Sequence, residues 1–255
     1  MSEYHGKFVW YELMTSDIAA AEEFYKGVIG WGSRDSGQAG MEYRIFTAGE
    51  HGIGGLWTIT DDITAVGGRP GWVGYIQVDD IVASAAKVTE AGGAIYHGPS
   101  EIPGVGRFAV AAYPQHAKFD LFQQPQPMLP PSQSALGRVG WHELYATDYA
   151  SDFEFYATLF GWTKADAIDM GPMGTYQMFG VGGATLGGMM NKPEQMPATG
   201  WLYYFNVESA EAAAERLQSL GGQVLHGPAQ VPGGHWIVQA LDPQGAFFAL
   251  VAAMK

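Results

Sequence analysis

WYELMTSDIAAAEEFYKGVIGW (residues 10–31) returns later in the chain as WHELYATDYASDFEFYATLFGW (141–162), identical at ten of 22 positions without a gap. A second stretch, 71–99, returns as 200–228 with 11 of 29 positions identical. The shared positions include Gly92-Gly93/Gly221-Gly222 and His97-Gly98-Pro99/His226-Gly227-Pro228. YRIF (43–46) corresponds to YQMF (176–179), and Gly54-Gly55 to Gly187-Gly188. The offset of about 130 residues makes each copy domain-sized, so the chain is a duplication and not a solenoid. Between the copies runs QQPQPMLPPSQSALGR (123–138), whose four prolines fix φ and remove backbone donors. The expected division is a first domain over 1–124, a Pro-rich linker over 125–138 and a second domain over 139–255.

Each copy alternates strands with single helices. Phe8-Val9-Trp10-Tyr11-Glu12-Leu13 is aromatic and β-rich, which predicts a strand. Ser16-Asp17 then caps a helix carrying Ile18, Ala21, Phe24, Tyr25 and Val28 on its apolar stripe, and Gly30 ends it. Strands are expected at 43–48 and 53–59. The pattern restarts with a strand over Trp72–Val78, a helix over 81–91 capped by Asp79-Asp80, and a stop at Gly92-Gly93. Further strands are expected near 94–97, 107–112 and 117–123. Each copy is thus two βαβββ halves, and several strands per helix exclude a doubly wound parallel sheet.

Composition narrows the function classes. Thirteen basic against 26 acidic residues give a net charge of −13, and no block of five Lys or Arg exists. A phosphate-tracking surface is therefore absent from the expectations, and nucleic acid is no partner. With no cysteine, disulfides, zinc–thiolate sites, iron–sulfur clusters and thiol nucleophiles fall away. MSEYHGKFVW lacks the pattern of a signal peptide and no apolar run is long enough for a membrane span, so a cytoplasmic location is expected. GxSxG, HExxH and GxGxxG-helix arrangements do not occur, and the Gly-rich stretches lack the Lys-Ser/Thr of a phosphate loop. His97-Gly98-Pro99 and its repeat read as turns at strand ends, and Met189-Met190 as core filling.

Paired βαβββ units opening with WxEL…D…FY…GW, with Pro243-Gln244-Gly245-Ala246 before the last strand, resemble the vicinal oxygen chelate superfamily. That group includes glyoxalase I, bleomycin-resistance proteins, fosfomycin-modifying enzymes and extradiol dioxygenases. The likeness runs from 8 to 252 and is to tandem glyoxalase-like proteins in particular. It implies an α+β fold: four βαβββ units forming two cup-shaped mixed β-sheets, packed as an intramolecular pseudo-dimer. The chain would then be a monomer or a weak homodimer.

In the superfamily's metal-binding members, His, Gln and Glu ligands come from the first, fourth, fifth and eighth strands. Here those positions fall on Trp10 and Trp141, near Leu56 and Met189, on Val73 and Leu202, and on Asp120 and Ala249. Indole and aliphatic groups offer no lone pair to a hard cation, so no metal or other cofactor is expected. Shifting the first strand by one residue would place Tyr11 and His142 there instead. That register would restore a metal-dependent lyase or dioxygenase.

Period-2 alternation places Trp10 with Glu12 and Trp141 with Glu143 on inward faces. Likewise Tyr75 and Gln77 face inward with their counterparts Tyr204 and Asn206. His235 stands near the second cup. Aromatic walls with a few convergent polar groups describe a small-molecule pocket. Glu12, Glu143 and Asp120 are the candidate acid–base groups, because a carboxylate facing an apolar cup is raised in pKa. Two functions are expected from this. One is a lyase or isomerase using carboxylate acid–base chemistry. The other is a non-catalytic, bleomycin-resistance-like protein that binds or sequesters a small molecule.

Overall fold

The computed structural model describes residues 2–38, 40, 42–65, 67–126 and 132–255; Pro127, Pro130 and Pro131 of the expected linker lie outside the described residues. The first βαβββ module is β1 (Phe8–Thr15), α1 (Ile18–Ile29), β2 (Gly32–Asp35), β3 (Tyr43–Ala48) and β4 (His51–Thr58), followed by a short helix α2 (Asp61–Ala65). The second is β5 (Gly71–Gln77), α3 (Ile81–Glu90), β6 (Ala94–Ile102), β7 (Gly106–Ala112) and β8 (Lys118–Gln123). The third is β9 (Val139–Ala146), α4 (Tyr149–Phe160), β10 (Thr163–Asp169), β11 (Thr175–Val181) and β12 (Ala184–Asn191). The fourth is β13 (Gly200–Asn206), α5 (Ala210–Ser219), β14 (Gln223–Gln230), β15 (Trp236–Leu241) and β16 (Phe247–Ala252).

These strands form two eight-stranded mixed sheets, in the orders β2-β3-β4-β1-β5-β8-β7-β6 and β10-β11-β12-β9-β13-β16-β15-β14. The α+β class and the four modules expected from the repeat are present. Within every module the last strand runs parallel to the first, and the remaining pairs are antiparallel. No helix among the described residues is long and apolar enough to cross a membrane.

Local signals place the helices. Asp17 accepts a hydrogen bond from the Ala20 amide, and α1 ends at Gly30 with φ 87°. Asp148 and Gly161, with φ 68°, do the same for α4. Asp80 and Ser209 cap α3 and α5. Each cap satisfies amides that the first helical turn leaves without partners. One expectation needs correction. His97-Gly98-Pro99 and His226-Gly227-Pro228 lie inside β6 and β14, where the ladder register shifts around them, because a bulge accommodates them without ending the strand. β2 and β10 have no forewarning in the sequence, since GSRD and TKADAID lack an apolar alternation.

The described chain divides into two compact units, and each draws on both repeats. One unit contains α1 and joins the first module to the fourth (10–72, 130–141 and 202–255). The other contains α4 and joins the second module to the third (1–9, 73–129 and 142–201). In the α1 unit, Tyr25 meets Phe248 edge-on at 5.2 Å and Trp31 meets Phe205 at 5.0 Å. In the α4 unit, Tyr113 meets Phe155 at 4.9 Å and Phe119 meets Tyr156 at 5.4 Å. The Gly-Trp pair after each long helix has a matching task. Trp31 Nε1 donates to the Gly137 carbonyl and Trp162 Nε1 to the Gly6 carbonyl, both at 2.7 Å. Each tryptophan thus ties its helix to the glycine just before the other repeat's first strand.

A buried tyrosine–aspartate pair occurs in each unit with the partners exchanged. In the α1 unit, Trp72 Nε1 donates to Tyr25 Oη at 2.9 Å and Tyr25 Oη donates to Asp242 at 3.1 Å. Asp242 also accepts the amides of Gln244 and Ala246, which closes the turn before β16. In the α4 unit the turn before β8 carries Tyr113, and the carboxylate comes from the helix as the fully buried Asp152.

Candidate functional site: the open sheet faces

Ladder register decides which side chains turn away from the helices. Glu12 lies opposite Gly55, and Leu13 opposite Leu56. Leu13, Leu56 and Phe46 are fully buried on the helix side. The open face of the first module therefore carries Trp10, Glu12 and Met14 from β1, Gly55 and Trp57 from β4, and Tyr43 and Ile45 from β3. The expected register of β1 holds, but that of β4 is corrected. Leu56 and Met189 point into the cores, and Gly55 and Gly188 take the open-face positions beside Glu12 and Glu143.

Those glycines make room for a tyrosine. A Cβ on Gly55 would overlap the phenol of Tyr43, and one on Gly188 would overlap the ring of Tyr176. With the space open, Tyr43 Oη donates to Glu12 Oε1 at 2.7 Å and receives Trp10 Nε1 at 3.1 Å. Burial and the neighbouring Glu12 carboxylate raise the Tyr43 phenol well above its ordinary pKa. Tyr43 thus stays a donor, and the Glu12 carboxyl oxygen that accepts from it is held in one orientation. Beside it on the same face, the Trp57 indole nitrogen is buried and makes no hydrogen bond.

The third module repeats the arrangement. Glu143 is 6 % exposed and lies opposite Gly188, with Tyr176 over that glycine. Trp141 is half-buried on β9. His142 faces the other way: it stacks on Phe8 at 4.0 Å and its Nδ1 lies 2.7 Å from the Leu186 carbonyl. Burial pushes its pKa down to about 4. It is a packing histidine, and the register that would have made it a metal ligand is not the one adopted.

In the second module Tyr75 lies opposite Asp120, and Asp120 opposite Val110, on one face. Tyr75 and Asp120 are 5 % and 3 % exposed. Gln77 shares their face, but its amide donates to the Gln124 carbonyl and accepts the Gln124 amide, so it fastens the end of β8. Asn206, its counterpart, donates to the carbonyls of Gln133 and Ala135 and fastens the approach to β9. In the fourth module Tyr204 lies opposite Ala249 and receives Gln239 Nε2 at 2.7 Å. His235 is exposed on the turn between β14 and β15, accepting the Val231 amide through its carbonyl.

Tyr43 and Gln239 are the polar groups that sequence reasoning passed over. The repeat held a signal for the first, because YRIF/YQMF and the glycine pairs recur together with Glu12/Glu143. Gln239 had none, since its counterpart is Val110. A broad groove of about 960 Å³ also opens along the ends of β5 and β8, lined by Tyr4, Asp79, Glu101, Val105, Arg107 and Gln123.

Residues 7–121 and 138–250 each match the model of the Glyoxalase/Bleomycin resistance protein/Dioxygenase superfamily. The chain belongs to this superfamily. A protein provisionally named glyoxylase CFP32, from Mycobacterium bovis and Mycobacterium tuberculosis, is 30 % identical over 254 residues, covering 98 % of this chain and 96 % of the relative. The anthracycline biosynthesis protein DnrV of Streptomyces peucetius is 28 % identical over 277 residues, covering 96 % of this chain and 93 % of its own. Among solved structures, a Mn(II)-bound glyoxalase from Novosphingobium aromaticivorans superposes with a TM-score of 0.65 at 17 % identity, covering 99 % of this chain and 83 % of that one. The 2,3-dioxygenase LapB from Pseudomonas sp. KL28 gives 0.67 at 14 %, with 99 % and 94 % coverage. These likenesses show the superfamily's fold.

Membership raises the question of its metal. The positions that would supply ligands hold Trp10, Gly55 and Val73 in one repeat and Trp141, Gly188 and Leu202 in the other, with Asp120 and Ala249 completing them. Among the described residues no three His, Cys, Asp or Glu side chains converge. One carboxylate among indole, aliphatic and missing side chains does not fit a divalent ion, which needs several converging oxygen or nitrogen donors.

Proposed function

We propose that this superfamily member binds a small aromatic metabolite on the open faces of its sheets, with Glu12 as the anchoring carboxylate. The observation that carries this reading is the chain Trp10–Tyr43–Glu12, in which the Tyr43 phenol, itself held by the Trp10 indole, orients the Glu12 carboxylate. Such a group takes the hydrogen-bond donor of a ligand, an amine or a hydroxyl, and the rings take its flat apolar body. An aromatic ligand is also in keeping with the anthracycline biosynthesis proteins among the relatives.

The same carboxylate is placed to accept a proton from the bound molecule, which is the lyase or isomerase reading. Glu143 repeats the position, and Asp120 supplies a further carboxylate, a buried one, in the first repeat. The bond from Tyr43 occupies one Glu12 oxygen and holds the carboxyl in place, which suits an anchor and favours stoichiometric binding over turnover.

Benzylamine and benzyl alcohol test the reading, with the Met14 methyl, next to Glu12 on the open face, as an NMR reporter. Glu12→Gln should weaken benzylammonium binding by roughly tenfold or more and benzyl alcohol far less, because a charged hydrogen bond is lost. Tyr43→Phe should give a smaller loss for both. Equal affinity of Glu12→Gln and the parent chain for benzylammonium would overturn the assignment of Glu12.

A further inference from the structure

Across the ends of β6, β7 and β8 a row of charged and polar side chains lies on one face. Glu101 stands opposite Arg107, and Arg107 opposite Gln123. By alternation they share the face of Ala109, Ala111 and Leu121, which are fully buried, so the row continues that face past the edge of the core. Gln123 marks where α3 begins, since its Oε1 accepts the Ile81 amide at 3.1 Å. The fold itself does not demand this row. Its equivalent in the fourth module is Gln230, Trp236 and Ala252, without a charge.

All three side chains reach solvent: Glu101 is exposed, and Arg107 and Gln123 are half-buried. They line the groove of about 960 Å³ together with Tyr4, Asp79 and Val105. Directly opposed residues on paired strands hold their Cβ atoms about 5 Å apart, within reach of an ion pair. Glu101 and Arg107 nevertheless form none, and neither side chain makes a hydrogen bond among the described residues. The groove's other carboxylate, Asp79, is already engaged by the Ser2 amide at 2.9 Å and the Ser2 hydroxyl at 2.5 Å.

We propose that this groove is a site for a small zwitterion of the amino-acid class, with its carboxylate on Arg107 and Gln123 and its ammonium on Glu101. A guanidinium has donors alone, which suits a carboxylate, whereas the oxygens of an ionised glutamate only accept. Gln123 has given its oxygen to Ile81, which leaves its NH2 beside Arg107. A ligand with a single charge is attracted by one member of the pair and opposed by the other close by. A dipolar ligand satisfies both. Val105, 40 % exposed, and Tyr4 offer apolar surface for the ligand's side chain. The site uses neither Glu12 nor the open sheet faces, so it does not rest on the function proposed above.

L-phenylalanine, phenethylamine and hydrocinnamate share a phenyl tail and carry, in turn, both charges, the positive alone and the negative alone. They are titrated into the full chain at low salt, with the Val105 methyls as NMR reporters. Phenylalanine should shift Val105 and bind at least about fivefold more tightly than either analogue, because it makes both charged hydrogen bonds. Arg107→Met should weaken phenylalanine by roughly fivefold and leave phenethylamine no weaker. Glu101→Gln should also weaken phenylalanine, and should leave hydrocinnamate no weaker. Glu101 is exposed, so this second variant decides the matter should Arg107→Met fail to fold. No shift at Val105 with phenylalanine, equal affinity for the three probes, or unchanged phenylalanine affinity in either variant contradicts the proposal. Silence at Val105 while Met14 answers benzylamine sinks the groove alone. A response at Val105 while Met14 stays silent to benzylamine supports the groove and sinks the Glu12 anchor.

Discussion

Two buried titratable side chains in the α4 unit pull stability in opposite directions with pH. Asp152 is fully buried, and burial raises its pKa from 3.8 to about 6. A carboxyl raised on folding favours its neutral form there, so its contribution is present below pH 3.8 and is lost as pH rises through about 6. His142 is lowered from 6.5 to about 4 by burial, so the folded state favours the neutral ring. Its contribution is present above pH 6.5 and lost as pH falls through about 4. Between these limits the two slopes oppose. Asp152→Asn should raise stability near pH 7.5, by on the order of 1–3 kcal/mol, and gain nothing near pH 4. His142→Phe keeps the stacking on Phe8, loses the bond to Leu186, and should flatten the acid limb. Denaturant midpoints from pH 4 to 8 check both. A flat difference between Asp152→Asn and parent across that range would contradict the buried-carboxyl account. Neither shift was legible in sequence: Asp152 reads as an ordinary first-turn helix acid, and only the packing of the second module against the third buries it.

At the scale of elements, each glycine pair on β4 and β12 divides two tasks that its sequence does not separate. The first glycine meets a neighbouring strand's backbone: a Cβ on Gly54 would come to 2.8 Å from the Tyr11 carbonyl, and one on Gly187 would overlap that of His142. The second faces only a tyrosine side chain. Gly187→Ala should therefore cost stability, about 1–3 kcal/mol by thermal unfolding, because strand backbones must separate. Gly55→Ala should cost much less, since the Tyr43 phenol can swing aside. It should nevertheless weaken benzylammonium binding nearly as much as Tyr43→Phe does, because the Tyr43–Glu12 bond breaks. A Gly55→Ala chain as destabilised as Gly187→Ala would show the tyrosine to be a structural strut. The repeat alone marked these glycines as important. Their roles needed the ladder register, since a slip of one residue exchanges the faces, and sequence placed Leu56 on the wrong one.

For the whole molecule, the repeat seen in sequence and the units seen in space do not coincide. Every aromatic core joins a module from one repeat to a module from the other. Separated halves, 1–124 and 139–255, would each leave such a core half-covered. Exposing Phe205 and Phe248, or Phe155 and Tyr156, forfeits roughly 1.5–3 kcal/mol each. Neither half alone should melt cooperatively as a monomer, and mixing them should restore a one-to-one complex with a sharp transition. Light scattering and circular dichroism read this, and a monomeric half with a sharp melt would refute it. The sequence by itself determined the duplication, the four βαβββ modules, the caps at Asp17 and Asp80, and which face of β1 carries Glu12. Those follow from periodicity and short-range hydrogen bonding, which the chain carries in neighbouring residues. The tertiary structure alone decided that cores cross between repeats, that Tyr43 orients Glu12, and that Gln77 and Asn206 fasten chain ends. Each of these depends on which distant backbone comes within a few ångströms, and no local pattern encodes that distance.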